Sequence, residues 1–276
     1  MINFKPLLYL YLVLFSLSYQ PQAQAQAHSN NKLASIKMTI DKIINERGKK
    51  TIFIKLRDSN TNKAITLTDL TEVHTQKIHL LVIDDSLSDY SHIHPVASNE
   101  PGLYYFFWQP LIKNANYRIW ADLVPLKTHQ QEYVIADLYK AKLSSAKIIP
   151  NTALQSNVDG YLFKLSFDQP ELQKGIATMG KVEVSDALGK PVYALEPLMG
   201  AYAHIVGFSD NFSNVVHIHP MGIEPKKNTD RGGPELAFHI EPQKAGFIKL
   251  FAQVKIKGKE YFAPFGVVVQ DTKSKA

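Results

Sequence analysis

The sequence predicts an all-β chain built as two tandem antiparallel β-sandwiches. Three observations predict it. Short runs rich in Ile, Val, Tyr and Phe recur between turn residues, long amphipathic helical patterns are scarce, and one histidine-bearing pattern occurs twice at a fixed offset.

The runs cover residues 51–56, 78–83, 104–108 and 117–123 in the first half, and 181–184, 205–208, 247–254 and 262–269 in the second. Breaks at Asp58-Ser-Asn-Thr-Asn62, Asp186-Ala-Leu-Gly189 and Lys257-Gly-Lys259 carry the Asp, Asn, Ser and Gly residues that turns require. Strands this short and this evenly spaced stack as sandwiches.

The duplication is explicit. His79-Leu-Leu-Val-Ile-Asp-Asp-Ser-Leu-Ser-Asp-Tyr-Ser-His92-Ile-His94-Pro95 is answered by His204-Ile-Val-Gly-Phe-Ser-Asp-Asn-Phe-Ser-Asn-Val-Val-His217-Ile-His219-Pro220, each histidine displaced by 125 residues. Six of the ten histidines therefore fall in two matching triplets. The match extends to Tyr117-Arg-Ile-Trp-Ala-Asp122, answered by Phe247-Ile-Lys-Leu-Phe-Ala-Gln253. Domain bounds of 28–147 and 148–276 follow, with the division at the Ser144-Ser145 and Pro150-Asn-Thr stretch.

The N-terminus has a basic Lys5, an apolar run over 7–17 and Gln-Ala repeats ending at Ala27, the pattern of a cleaved secretory signal over 1–27. The run is shorter than the roughly 20 apolar residues of a membrane span, and no later segment approaches that length. A periplasmic or secreted protein that does not span a membrane is the expectation. The chain has no cysteine, which excludes disulfides, thiolate ligands and cysteine nucleophiles and leaves His, Met and carboxylates to hold a metal. The net charge of +6 is spread over scattered lysines, which argues for solubility and against nucleic-acid binding.

A hairpin register turns the triplets into sites. With a four-residue loop over 84–87, Ile83 faces Ser88 and His79 faces His92; a loop over 209–212 likewise sets His204 opposite His217. Residues two apart share a face, so His94 and His219 join their partners. His79, His92 and His94 form one candidate metal site, and His204, His217 and His219 a second. Pro95 and Pro220 end the strands beyond them, which predicts clusters at the sandwich rim, open to solvent. Three imidazoles with an open position suit copper or, alternatively, zinc. The bland reading is that the histidines are surface or strand-edge residues kept after duplication; the shared spacing weighs against it.

Other residues carry weaker signals. His239 is a fourth ligand for the second repeat only, with Trp108 near the equivalent position. His28, first in the chain after cleavage at Ala27, chelates copper(II) through its amine and imidazole if the cut falls there. His74 and Met199 match at the same offset, yet their odd separation from His79 and His204 favours core or loop roles. Asp122, where the second copy has Gln253, either orients a ligating imidazole or pairs with Arg118 or a lysine. His129 has no counterpart and reads as a loop residue.

On these residues, the doubled His-x12-His-x-His-Pro hairpin with its Asp-Ser-Leu-Ser-Asp-Tyr turn, the chain resembles a group of poorly characterised secreted bacterial proteins, some associated with copper or heavy-metal functions. The resemblance spans both repeats and implies immunoglobulin-like sandwiches and metal binding. The leading expectation is a periplasmic or secreted protein that buffers, transports or delivers copper, with a metal ion and a periplasmic or membrane metal-handling protein as partners. The alternatives are a protein- or sugar-binding tandem module with no metal role, and a copper redox enzyme. No Ser-His-Asp order, phosphate loop or close carboxylate pair supports catalysis.

Overall fold

The computed structural model describes residues 34–46, 49–113, 115–138, 148 and 150–271. The expected signal over 1–27, His28 and the division at 147 lie outside these residues. The described residues from 34 onward belong to one compact unit. They contain no α-helix, and none of their segments is a helix long and apolar enough to cross a membrane.

The first repeat comprises β1 (Ile36–Glu46), β2 (Lys49–Asp58), β3 (Leu70–Thr71), β4 (His79–Asp84), β5 (Tyr90–Ile93), β6 (Val96–Ala97), β7 (Leu103–Trp108), β8 (Tyr117–Pro125) and β9 (Glu132–Leu138). The second comprises β10 (Gln155–Val158), β11 (Tyr161–Phe167), β12 (Leu172–Gln173), β13 (Thr178–Ser185), β14 (Leu195–Glu196), β15 (His204–Ser209), β16 (Val215–Pro220), β17 (Glu235–Ile240), β18 (Gly246–Ile256) and β19 (Lys259–Gln270). The all-β class and the tandem sandwiches expected from the sequence are the architecture of the chain.

In the first repeat one sheet runs β1-β2-β7-β6 and the other β3-β8-β4-β5, with β9 on β8. Ile52, Ile54 and Leu56 of β2 and Tyr104, Phe106 and Trp108 of β7 meet Leu80 and Val82 of β4 and Ile119 and Ala121 of β8 in one core. Alternation in β2 and β7 puts every second residue there, as the period of a pleated strand requires. Trp108 is thus a core residue, whereas His239 points away from its own core between buried Phe238 and Ile240. Positions that lie near one another in the two repeats therefore face opposite ways.

The second repeat repeats the plan. The path β10-β11-β13-β17-β16-β15-β18-β19 is continuous because β16 pairs with β15 through Val215–Ile218 and then with β17 through His219 and Pro220. In the first repeat the chain makes the same crossing, from β5 on β4 to β6 on β7, at His94-Pro95. The prolines therefore mark where one strand changes sheets. Pro lacks the donor needed to continue a ladder, which is why the pairing partner changes there.

A third apolar cluster lies between the repeats. Leu81, Ile83, Leu87, Tyr90 and Trp120 from the first sandwich pack against Phe208, Val215 and Phe251 from the second. All six residues of β4 are buried because Leu80 and Val82 enter the repeat's own core while His79, Leu81 and Ile83 face this seam. Tyr90 sits among the rings of Phe208, Phe251 and Phe262, at centroid distances of 5.4, 4.8 and 5.6 Å. Arg118 reaches across the seam as well, donating from Nη1 to the Phe212 carbonyl at 2.6 Å.

Candidate metal centre

The hairpin that carries the first triplet begins with β4 and closes on the pair Asp84 and Asp89. The loop has four residues as expected, but it spans 85–88, one residue later than the sequence suggested. Asp84 stays at the base of the ladder because its carboxylate caps the loop: Oδ1 accepts from the backbone N–H groups of Ser88 and Asp89, both at 2.7 Å, and Oδ2 from that of Ser86 at 3.0 Å. Leu87 takes the positive φ of 58° that the turn needs, as does Phe212, its counterpart 125 residues on.

Starting the loop one residue later moves the register by two. Leu81, not His79, pairs with His92, and the same ladder sets His79 level with His94. In the second repeat Val206 pairs with His217, so His204 is level with His219. The expected facing of His79 with His92, and of His204 with His217, is corrected on both counts. The shift is even, so every position keeps its face, and His79, His92 and His94 still converge.

The ligand atoms of His79, His92 and His94 all lie within 4.8 Å of one another. His79 Nδ1 stands 3.1 Å from His92 Nε2 and 3.2 Å from His94 Nε2. The outer nitrogens are committed elsewhere. His79 Nε2 lies 2.9 Å from the Val73 carbonyl, which can only accept, so that nitrogen carries the proton and Nδ1 is left with a lone pair. Glu260 accepts at 2.8 Å from Gln253 Nε2, which turns Gln253 Oε1 toward His92 Nδ1 at 2.8 Å. His92 Nδ1 must therefore donate, and its Nε2 presents a lone pair to that of His79.

Burial holds these rings neutral. The pKa of His79 falls to about 4 and that of His92 to about 3, in both cases chiefly because the charged form would be desolvated; the bonds to Val73 and Gln253 only partly oppose this. His94, half-buried at the edge, is lowered by burial too, with Glu260 acting in the opposite sense. Two lone pairs 3.1 Å apart, with the imidazolium form disfavoured, are the arrangement a cation resolves. For a metal 2.0–2.1 Å from tetrahedrally placed imidazole nitrogens, neighbouring nitrogens are about 3.3 Å apart, close to both observed spacings.

The cluster is not at an open rim, as the prolines suggested. It lies on the face of the β4–β5 sheet that turns toward the second repeat, and His79 is only 7 % exposed. A cavity of about 50 Å³ beside it is bordered by His74, His79, His92 and His204 and by Asp122 and Tyr133. His204 repeats the fixing of His79: its Nε2 donates to the Leu198 carbonyl at 2.9 Å, and burial lowers its pKa to about 4. Val73 and Leu198 occupy matching turns, bridged to Gln76 and Ala201, and the next residues, His74 and Met199, have positive φ of 49° and 50°.

That turn brings His74 to the centre despite its odd spacing. Its ring is 5.2 Å from that of His204 and 6.4 Å from that of His79. Parity along a strand does not apply to a residue in a turn before the strand begins. Gln253 is the counterpart of Asp122 in the second repeat; its bond to His92 crosses 161 positions of the chain, and no local pattern signals it. Asp122 accepts from Gln131 Nε2 at 2.8 and 2.9 Å and from the Tyr133 hydroxyl, and burial raises its pKa to about 6. Arg118 pairs with Asp137 at 2.6 Å. His129 is an exposed turn residue with positive φ.

The backbone of β16 places positions 217 and 219 on one face with 204, and His219 pairs directly with His239 of β17. The side chains of His217 and His219 lie outside the described residues.

Fold and site together define a duplicated β-sandwich protein with a partly buried histidine triad, able to hold a metal, at the face where its halves meet. The chain belongs to a family described as a domain of unknown function (DUF8832), whose model matches residues 27–137 and again 156–271. No curated protein matches it in sequence. Among solved structures it is similar to MtrC from Shewanella baltica (8 % identity, 87 % of this chain, 70 % of that one, TM-score 0.26). It is also similar to the Yersinia pseudotuberculosis adhesin InvE (12 %, 86 % of this chain, 59 % of that one, TM-score 0.25) and to the D00-D0 domain of intimin (12 %, 86 % and 100 %, TM-score 0.24). At these scores the likenesses bear on no residue of the site.

Proposed function

We propose that the protein is a copper-binding protein of the periplasm or cell exterior that buffers, transports or delivers the metal, through His79, His92 and His94 in the first repeat and His204, His217 and His219 in the second. One observation carries the reading: the outer nitrogens of His79 and His92 are both committed to acceptors, so their lone pairs meet 3.1 Å apart with His94 Nε2 beside them. Fixing the far nitrogen of a ligating imidazole selects its tautomer and aims the ring. Three imidazoles bind copper(II) more tightly than zinc, so copper is the proposed metal and zinc the alternative set by availability. His239, paired with His219 on β16, is the proposed additional ligand of the second site.

Neutral, buried imidazoles need lose no proton to take a metal at neutral pH, which suits capture and release better than acid–base chemistry. The resemblance of the doubled His-Pro hairpin to secreted bacterial proteins, some of them associated with copper or heavy-metal functions, agrees with the same assignment. The test is titration of the mature chain with copper(II) and zinc, alongside H92A/H94A and H217A/H219A double variants. Two equivalents of copper, one lost in each variant, are expected. Stoichiometry unchanged in both variants would sink the reading.

A further inference from the structure

The two histidine triplets come from hairpins 125 residues apart in the chain, yet the fold brings His204, the first residue of the second triplet, to the seam that holds the first. His204 opens the second triplet and stands beside the first: its ring centre is 6.1 Å from that of His92. His74 stands 6.4 Å from His79 and 5.2 Å from His204, ring centre to ring centre, and so bridges the two along the cavity wall. The cavity of about 50 Å³ is bordered by rings from both repeats. His204 is nevertheless not one of the three imidazoles whose nitrogens gather within 4.8 Å, so it marks a second position and not a fourth ligand of the first.

We propose that the repeats build one paired metal centre across their seam, with a first ion on His79, His92 and His94 and a second on His204 facing it through the shared cavity, rather than two isolated sites. The proposal rests on the metal-binding reading above and adds the pairing to it.

Three observations support it. His204 has the same tautomer as His79, fixed by a carbonyl at the same repeat position, so its Nδ1 lone pair is likewise available. The orienting partner of His92 is Gln253 of the opposite repeat, so the first position is already built from both halves. The separation is also bounded. A metal 2.0–2.1 Å from an imidazole nitrogen lies about 3.2 Å from the ring centre. With the two rings 6.1 Å apart, ions on His92 and His204 are therefore no more than about 13 Å apart. Two ions on unconnected sandwich domains would carry no such limit.

The experiment is electron paramagnetic resonance of the full chain loaded with one and with two equivalents of copper(II), copper being counted by mass spectrometry. A parallel sample is loaded with copper diluted roughly tenfold in zinc, and H204A is measured at two equivalents. The expected result is dipolar broadening, or a spin count below the copper count, at two equivalents only. Both should vanish on zinc dilution and in H204A. Zinc dilution needs no substitution, so the outcome does not depend on whether H204A folds. Two bound coppers with the spectrum of the diluted sample, or a single bound copper, would overturn the pairing and leave metal binding standing. No bound copper would remove both.

Discussion

The two repeats present the same hydrogen-bonded pair to the seam with its charge in opposite places. In the first, Asp122 on β8 holds the carboxylate and Gln131, just before β9, the amide. In the second, Gln253 on β18 holds the amide and Glu260 on β19 the carboxylate. The register makes these positions equivalent, since His79 pairs with Asp122 and His204 with Gln253. The difference is one of burial. Asp122 brings its charge into the seam, where desolvation raises its pKa to about 6, while Glu260 is exposed and only a neutral amide faces His92. Duplicated sequence has thus been kept as geometry and altered as electrostatics, so the two halves are not interchangeable ligand sets.

The contrast suggests ways to break it. The largest effect is expected from opening the seam. Phe251→Ala removes a ring packed at 4.8 Å on Tyr90 and 97 % buried, and should cost about 3–5 kcal/mol, the usual range for a buried Phe. Urea denaturation checks this, and a loss below about 1 kcal/mol would mean that the repeats do not depend on one another through this face.

Removing the cross-repeat acceptor sharpens the comparison. Gln253→Leu leaves His92 Nδ1 without its partner and should weaken the first site about 10–100-fold by competition titration, with the copper count unchanged. The exchange Q253E/E260Q gives the second repeat the arrangement of the first. A carboxylate then holds His92, and about tenfold tighter metal binding is expected from the more basic ring. An affinity unchanged by either variant would mean that Gln253 is only a packing residue.

Acid should act mainly through the histidines. His79, His92 and His204 have folded pKa values of about 4, 3 and 4 against 6.5 when unfolded. In each case the unfolded state takes the proton first. Their contribution to stability is complete above pH 6.5 and is lost as pH falls toward 4 and below. Asp122, raised to about 6 from 3.8, acts in the reverse sense between those values, one group against three. The urea midpoint of the metal-free protein should therefore drop between pH 6.5 and 4. A midpoint that rises over this range would contradict the neutral, buried assignment. The smallest change is expected at exposed His129, where H129A should alter stability by no more than about 0.5 kcal/mol and copper stoichiometry not at all.

Much of the site was legible because face parity survives an error in register. The spacing His-x12-His-x-His places all three residues on one side of a hairpin whether the loop begins at 84 or at 85, so their convergence could be read although their pairing could not. What set the pairing was the Asp84 carboxylate, which takes three backbone N–H groups and draws the loop one residue on. His74, for which strand parity favours a core or loop role, does lie in a turn, and it is that turn that carries its ring to within 5.2 Å of His204. Gln253 had no local signal at all.

The sequence by itself determined the all-β class, the duplication and the histidines that share a face, because these depend on a period of two and a repeated spacing. Only the tertiary structure decided that this face is buried between the repeats. In β4, Leu80 and Val82 serve one core and Leu81 and Ile83 another, so the strand reads as an unbroken apolar run that does not reveal what covers its second side. The partner of that face is set by packing between surfaces far apart in the chain, and with it come the lowered pKa values, the Gln253 contact and the meeting of His204 with the first triad.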